Sequence, residues 1–322
     1  MKYFIITIDT EGDNLWAHKI GQTITTENAK FLPRFRNLCN KYNFKPVYLV
    51  NYEMTKDKFF TDFAIRELKD NNCEIGLHLH AWNNPPLHEL KSSGPKNGLP
   101  YLIEYPKDIM KEKIDVMTSL LKDTFEIEIS SHRSGRWAMN QDYFDLLIEN
   151  NIKTDCSVTP NISWETSPGF STSSKGSDYS VSPEIPYTVN HSFTSASILE
   201  IPVTVIKPNL LPPQPIKHFR TFLKEIKKII TRKPVWLRPN GGNLYDMLSL
   251  VDFIKNGDQD YLMFMLHSSE LMPGGSPTFK SVESIENLYK QLEILFNSIS
   301  KTFCGITIRD YYSGYIKRKE KS

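Results

Sequence analysis

Short apolar runs alternate with longer amphipathic stretches along most of the chain. Runs of strand character fall at 3–8, 46–50, 73–79, 127–130, 153–156, 198–205, 235–237, 261–266 and 303–306. Between them, apolar residues recur at spacings of three and four, the helix period. Residues 29–42 carry Phe31, Leu32, Phe35 and Leu38, and 57–71 carry Phe60, Phe63, Ala64 and Leu68. Residues 107–122 carry Ile109, Met110, Ile114, Met117 and Leu121, and 282–299 carry Ile285, Leu288, Leu292, Leu295 and Phe296. A shorter helix over 142–149 has Asn140 as its expected N-cap. Strands alternating with helices predict a parallel sheet with helical crossovers. The number of such units favours a (β/α) barrel over an open sheet, which places the chemistry at the C-terminal ends of the strands.

Two segments break this rhythm. Residues 160–191 are rich in Ser, Thr, Pro and Gly and read as a long irregular excursion. Residues 208–215 hold four prolines and lead into a basic amphipathic stretch at 218–233. No internal repeat or linker divides the chain, so one domain over 1–322 is expected. Lys and Arg number 39 against 37 for Asp and Glu, a net charge of +2, without the basic bias of a nucleic-acid binder. Cys39, Cys73, Cys156 and Cys304 lie far apart with no CxxC pair, which predicts free thiols rather than a zinc knot or a disulfide framework. The first apolar run is a strand and not a signal peptide, and no run is long enough to span a bilayer. A cytoplasmic protein is expected.

The strand ends carry the candidate chemistry. The first runs into Asp9-Thr10-Glu11-Gly12, whose two acids point to one side of an extended backbone. Such a pair repels unless a cation lies between the carboxylates; an exposed acidic turn is the plainer alternative. The third runs through His78-Leu79-His80, two imidazoles on one face, half of a site for zinc or a similar ion. A loop after the fourth holds Arg133, Gly135, Arg136 and Trp137, and its two arginines suit a carboxylate. Asp155 ends the fifth, with Trp164 beyond it. His267 ends the very apolar run 261–266, where a histidine suits general acid or base chemistry.

These segments, in this order, resemble the polysaccharide deacetylase family, the NodB-homology domain, over roughly residues 1–310. Thr7-Ile8-Asp9 resembles the end of the family's first motif, His78 and His80 its metal-binding histidines, and Arg133 the arginine of its third. Asp155 with Trp164 resembles the fourth motif, and Leu266-His267 the last. The sequence departs from the pattern at Thr10, where a second Asp is usual, and in the tight His-x-His spacing. Residues 76–82 with Pro85-Pro86, and 266–275 with Pro277, are similar to a subgroup associated with surface polysaccharide or lipopolysaccharide synthesis.

The resemblance implies a distorted or incomplete (β/α) barrel of the NodB-homology type with long loop insertions. It implies a metal-dependent hydrolase that removes acetyl groups from an N-acetylated sugar. Glu11, with Asp13 in reserve, joins His78 and His80 as ligands of a divalent metal, zinc by choice. Asp9 is the implied general base, or else itself a metal ligand with a different base, and His267 the acid; Arg133 holds Asp9 ionised, Asp155 orients His267 or raises its pKa, and a metal-free relative is a further alternative. Trp82, Trp137 and Trp164 are candidate sugar-stacking rings, or else pins that fix loops to the barrel. Stretch 218–233 suits weak contact with a membrane surface, or is a barrel helix with a solvated lysine face. A silent carbohydrate-binding relative, and a hydrolase of a non-sugar amide on the same scaffold, remain open alternatives.

Overall fold

The computed structural model describes residues 1–17, 22–88, 99–170, 174–212 and 233–320. In chain order its elements are β1 (Lys2–Thr10), α1 (Leu32–Lys41), β2 (Pro46–Val50), α2 (Lys58–Lys69), β3 (Glu74–Leu79) and α3 (Lys107–Phe125). Then come β4 (Ser131–Ser134), α4 (Gln141–Glu149), β5 (Thr154–Asp155), β6 (Tyr187–Asn190), β7 (Ser197–Glu200), β8 (Val205–Ile206) and β9 (Val235–Trp236). The chain closes with α5 (Leu244–Asn256), β10 (Tyr261–His267), α6 (Val282–Ile299), β11 (Phe303–Gly305) and α7 (Ile308–Lys319). Helix starts follow from capping side chains. Asp57 accepts from Phe60 N–H at 2.8 Å, and Asn140 from Tyr143 N–H at 2.9 Å.

Strands β10, β1, β2, β3, β4, β5 and β7 are parallel neighbours in that order, and β6 adds antiparallel to β7. β11 pairs with the start of β1. The sheet curls into a half-barrel, the incomplete barrel that the resemblance implies. The gap between β7 and β10 is filled by irregular chain. Ile201 N–H donates to Asp155 O at 2.8 Å, Leu237 N–H to Thr204 O at 3.1 Å, and Met265 N–H to Leu237 O at 3.3 Å.

Strand alternation sorts the core into two. Phe4, Ile6 and Ile8 face outward onto the helices, with Tyr48, Val50, Ile75 and Leu77. Ile5, Val47, Leu49, Met263 and Met265 face the barrel interior. The outer core centres on Phe296 of α6, whose ring lies 5.7 Å from Phe4, 6.1 Å from Phe35, 5.5 Å from Phe44 and 5.8 Å from Phe264.

Several boundaries differ from the sequence expectation. The fourth strand is Ser131–Ser134, not the apolar 127–130. Ile129 is buried in the core, but the ladder with β3 is made by the polar residues after it. The run 198–205 splits into β7 and β8 because Pro202 has no N–H to continue a ladder. The sequence pattern does not predict helices α5 and α7, and Lys317, Arg318 and Lys319 form the last turn of α7, where Arg318 pairs with Asp260 at 3.0 Å. The excursion at 160–191 is mostly irregular, with two isolated bridges and β6 at its end. Cys39, Cys73 and Cys156 are buried free thiols and Cys304 is exposed. Stretch 218–233 lies outside the described residues apart from Lys233. No described helix is long and apolar enough to cross a membrane.

Phe296→Ala removes the ring shared by five aromatic neighbours, Tyr42 included, and is expected to lower the unfolding free energy by about 3–5 kcal/mol in urea titration. A loss under about 1 kcal/mol would show that this cluster does not carry the helix–sheet packing.

Candidate active site

Register brings the strand ends together. Asp9 of β1 lies directly beside His267 of β10, and His78 of β3 beside Arg133 of β4. Glu11 follows one pleat beyond Asp9, and the two carboxylates face the same ring: His267 Nε2 is 3.7 Å from Asp9 Oδ2 and 3.7 Å from Glu11 Oε1. Glu11 Oε2 lies 2.7 Å from His80 Nε2 and 3.3 Å from His78 Nε2. The ligating atoms of Glu11, His78 and His80 all lie within 4.8 Å of one another, a set able to hold a metal ion.

The hydrogen bonds of His78 test whether that set fits a cation. Its Nδ1 is 2.8 Å from Arg133 O, which can only accept, so Nδ1 carries a hydrogen. The neutral ring then turns its Nε2 lone pair toward a carboxylate oxygen. That arrangement is favourable only with a proton or a cation between the two atoms. The electrostatics agree. Burial opposes charge on His78, but Asp9 and Glu11 overcome it and raise the imidazole above its usual value. Glu11 is pushed up by burial and pulled further down by His80 and His78, ending well below the usual carboxylate range.

Glu11 is only 5% exposed, and its backbone is fixed as firmly as its side chain. Asn28 Nδ2 donates to Glu11 O at 2.7 Å and to Ser268 Oγ at 2.8 Å, and Glu11 N–H donates to Ser268 Oγ at 3.2 Å. Gly12 N–H donates to Glu53 Oε1 at 2.5 Å. Burial raises the Glu53 carboxyl, which also accepts from Asn83 at 2.9 Å.

Arg133 sits in the centre of the mouth with no solvent exposure. It donates from Nη1 to Asp9 Oδ1 at 2.6 Å and from Nε to Cys156 O at 3.0 Å. Burial raises Asp9, but Arg133, then His78 and His267, lower it below the ordinary aspartate value, so it is ionised. His267 is held from behind by Arg238 Nη2, 3.1 Å from Nδ1, and by Glu270 Oε2, 3.3 Å from the same atom. Arg238 and Glu270 pair with each other at 3.0 Å. Trp16, 43% exposed, lies edge-on to His267 at 4.8 Å and donates to Ser269 Oγ at 3.0 Å.

The acid on His267 is therefore Glu270, not Asp155. Asp155 pairs in register with His132, one residue out of phase with Arg133, so its side chain leaves the opposite sheet face. There it contacts His132 Nδ1 at 2.6 Å and accepts from Ser157 Oγ at 2.8 Å, behind the mouth. Its register neighbour on β7 is Glu200. Burial and then Asp155 raise Glu200 well above the usual glutamate value, whereas His132 helps hold Asp155 low against burial.

Of the three tryptophans expected at the mouth, Trp82 is half-buried, its ring 6.1 Å from His80. Trp137 is only 8% exposed, stacked at 6.4 Å on half-buried Trp164 and 5.8 Å from Trp236. Asp13, the reserve ligand, is tied up by Thr25 and Asn28. Sequence reasoning missed Arg238, Glu270 and Trp16. Arg238 follows the run 235–237, so the strand-end rule applied once more would have found it. Glu270 stands three residues after His267, a capping-box spacing. Trp16 has no signal in the sequence pattern.

The turn after β4 is strained. Arg136 and Trp137 both take left-handed backbone, with φ of 58° and 63°. Each such residue costs of order 1–3 kcal/mol unless its surroundings fix it. Here Tyr179 Oη–H donates to Trp137 O at 2.5 Å, and Ser134 Oγ–H to Ala138 O at 2.7 Å. Gly135 packs directly on a candidate ligand: a Cβ there would lie 2.6 Å from Leu79 O and 2.7 Å from His80 Nδ1.

Neither a family model nor a curated protein sequence matches this chain. Solved structures do. A protein from Mycobacterium smegmatis classed as a polysaccharide deacetylase aligns over 99% of this chain and 92% of its own, at 12% identity and a TM-score of 0.52. One from Pseudomonas aeruginosa PAO1, classed likewise, aligns over 98% and 90%, at 11% identity and a TM-score of 0.52. A 4-alpha-glucanotransferase from Thermococcus litoralis aligns over 98% of this chain but 38% of its own, at 12% identity and a TM-score of 0.50. The fold is that of the NodB-homology deacetylases, and the glucanotransferase shows it alongside a different chemistry.

Two substitutions probe this geometry. Gly135→Ala must displace the His80 ring or the β3 backbone, and is expected to weaken zinc binding at least about tenfold in calorimetric titration; unchanged affinity would place His80 outside the ligand set. Glu200 has a folded pKa above its unfolded one, so the stability it confers is present at low pH and lost as pH rises above the ordinary glutamate range. Glu200→Gln is expected to gain stability relative to the parent between about pH 5 and about pH 8. A constant difference across that range in urea titrations would contradict a buried proton on this acid.

Proposed function

We propose that this chain is a metal-dependent carbohydrate deacetylase that removes the acetyl group from an N-acetylated sugar in surface-polysaccharide synthesis. The observation that carries the reading is the shared geometry of Asp9, Glu11 and His267, which meet His78 and His80 from the end of β3, two strands away from β1. An acid held ionised, a ring nitrogen facing it and a Glu/His/His ligand set are what amide hydrolysis requires.

Glu11, His78 and His80 would hold the metal. A divalent cation bound there, zinc as first choice, would supply Lewis acidity toward the acetyl carbonyl and lower the pKa of water. Asp9, ionised by Arg133, accepts the proton of the attacking water. His267 Nε2 faces the mouth and gives a proton to the leaving nitrogen, so the C–N bond breaks to acetate and free amine. Arg238 and Glu270 fix the orientation of that ring. Trp82 and Trp164 offer faces on which a pyranose stacks, and Trp137 backs Trp164 as a wall. The surface-polysaccharide role rests on the sequence wording of residues 76–86 and 266–277.

The test is acetate release from an N-acetylhexosamine conjugate. Asp9→Asn and His267→Ala are each expected to lower kcat by about 10²–10⁴-fold. Chelation should abolish turnover and zinc should restore it. Turnover that survives chelation, or Asp9→Asn at the parental rate, would sink this reading.

A further inference from the structure

Of the two loop arginines, the mouth uses only Arg133. Arg136 is exposed on the turn after β4, one residue from Gly135, where a Cβ would lie 2.7 Å from His80 Nδ1. Its guanidinium lies 5.2 Å from the Tyr101 ring centre, and among the described residues no carboxylate pairs with it. Glu104, the acid near Tyr101, accepts from backbone at both oxygens: Oε2 from Tyr101 N–H at 3.0 Å and Oε1 from Phe170 N–H at 2.7 Å. The other arginines that meet the mouth or flank it are committed, Arg133 to Asp9 and Arg238 to Glu270. Arg136 also sits in the left-handed region, at φ 58°, where Asn or Gly would be comfortable. A left-handed backbone thus holds an exposed guanidinium beside an aromatic ring, with no paired acid among the described residues, on the same turn that packs against His80.

We infer that the substrate carries an anion, a carboxylate or a phosphate, on or next to the acetylated sugar, and that Arg136 binds it. This rests on the sugar-deacetylase reading above and names the class of sugar that reading leaves open. The two oxygens of either anion match the guanidinium fork.

The experiment is calorimetric binding to the full chain with zinc present, using three probes. These are neutral N,N′-diacetylchitobiose, N-acetylglucosamine 1-phosphate and a glucuronyl-N-acetylglucosamine disaccharide. At least one anionic probe is expected to bind about tenfold tighter than the neutral one, with a preference that shrinks as salt is raised. Whichever anionic probe wins identifies the phosphate or the carboxylate source. Arg136→Asn relieves the backbone strain and removes the charge, so it should keep or raise the melting temperature while erasing the preference; Arg136→Lys should retain part of it. Equal binding of neutral and anionic probes, no binding of any, or a preference that survives Arg136→Asn would overturn the inference. Because binding is read without turnover, anion preference without acetate release would fault the catalytic reading and not this one.

Discussion

The site is organised by one buried guanidinium. Arg133 reaches across the barrel interior from β4 to Asp9 on β1, also bonds the Cys156 carbonyl, and through its own carbonyl fixes the His78 ring. One residue thus sets the charge of the proposed base and the tautomer of a proposed ligand. A fully buried Arg is unfavourable unless paired, and losing either partner of a buried ion pair typically costs about 3–5 kcal/mol. The barrel interior below it is apolar, with Ile5, Leu49, Met263 and Met265, so the polar groups find their partners in one another and in nearby main chain. This is why the strand ends are bound into a network, with Glu11, His78 and His80 at one side and His267, Glu270 and Arg238 at the other.

Much of this was legible in the sequence because strands and helices have different periods. The helices at 57–71, 107–122 and 282–299 were clear because their apolar stripes face one sheet, and β1, β2, β3 and β10 because both their faces are buried. The exceptions are instructive. The fourth strand was placed early because its approach segment is apolar while its paired residues, Ser131 to Ser134, are polar and buried by the site itself. Pro202 breaks a run that reads as continuous. Helix α7 is rich in Tyr, Arg and Lys, and its inner face is too sparse in aliphatic residues to show a stripe.

The same alternation separates the site residues that were legible from the one that was misassigned. Asp9 and Glu11, and His78 and His80, are each two apart, so either pair had to share a face. Asp155 follows a strand end as they do, yet its register with His132 sends it behind the sheet, and no single-strand pattern reveals register between strands. Glu270 takes the place beside His267 by a local route, one turn away on the same segment. The tight His-x-His spacing also becomes intelligible: both rings come from consecutive inward positions of β3 and its extension, and both meet the same Glu11 oxygen.

Catalysis of the proposed kind requires that Glu11, His78 and His80 converge on a cation. An anomalous difference map from a zinc-soaked crystal measures this directly. The account predicts one strong peak bonded to Glu11 and to the Nε2 atoms of His78 and His80. A peak elsewhere with this trio empty, or His78 turned so that its Nδ1 no longer meets Arg133 O, would contradict it.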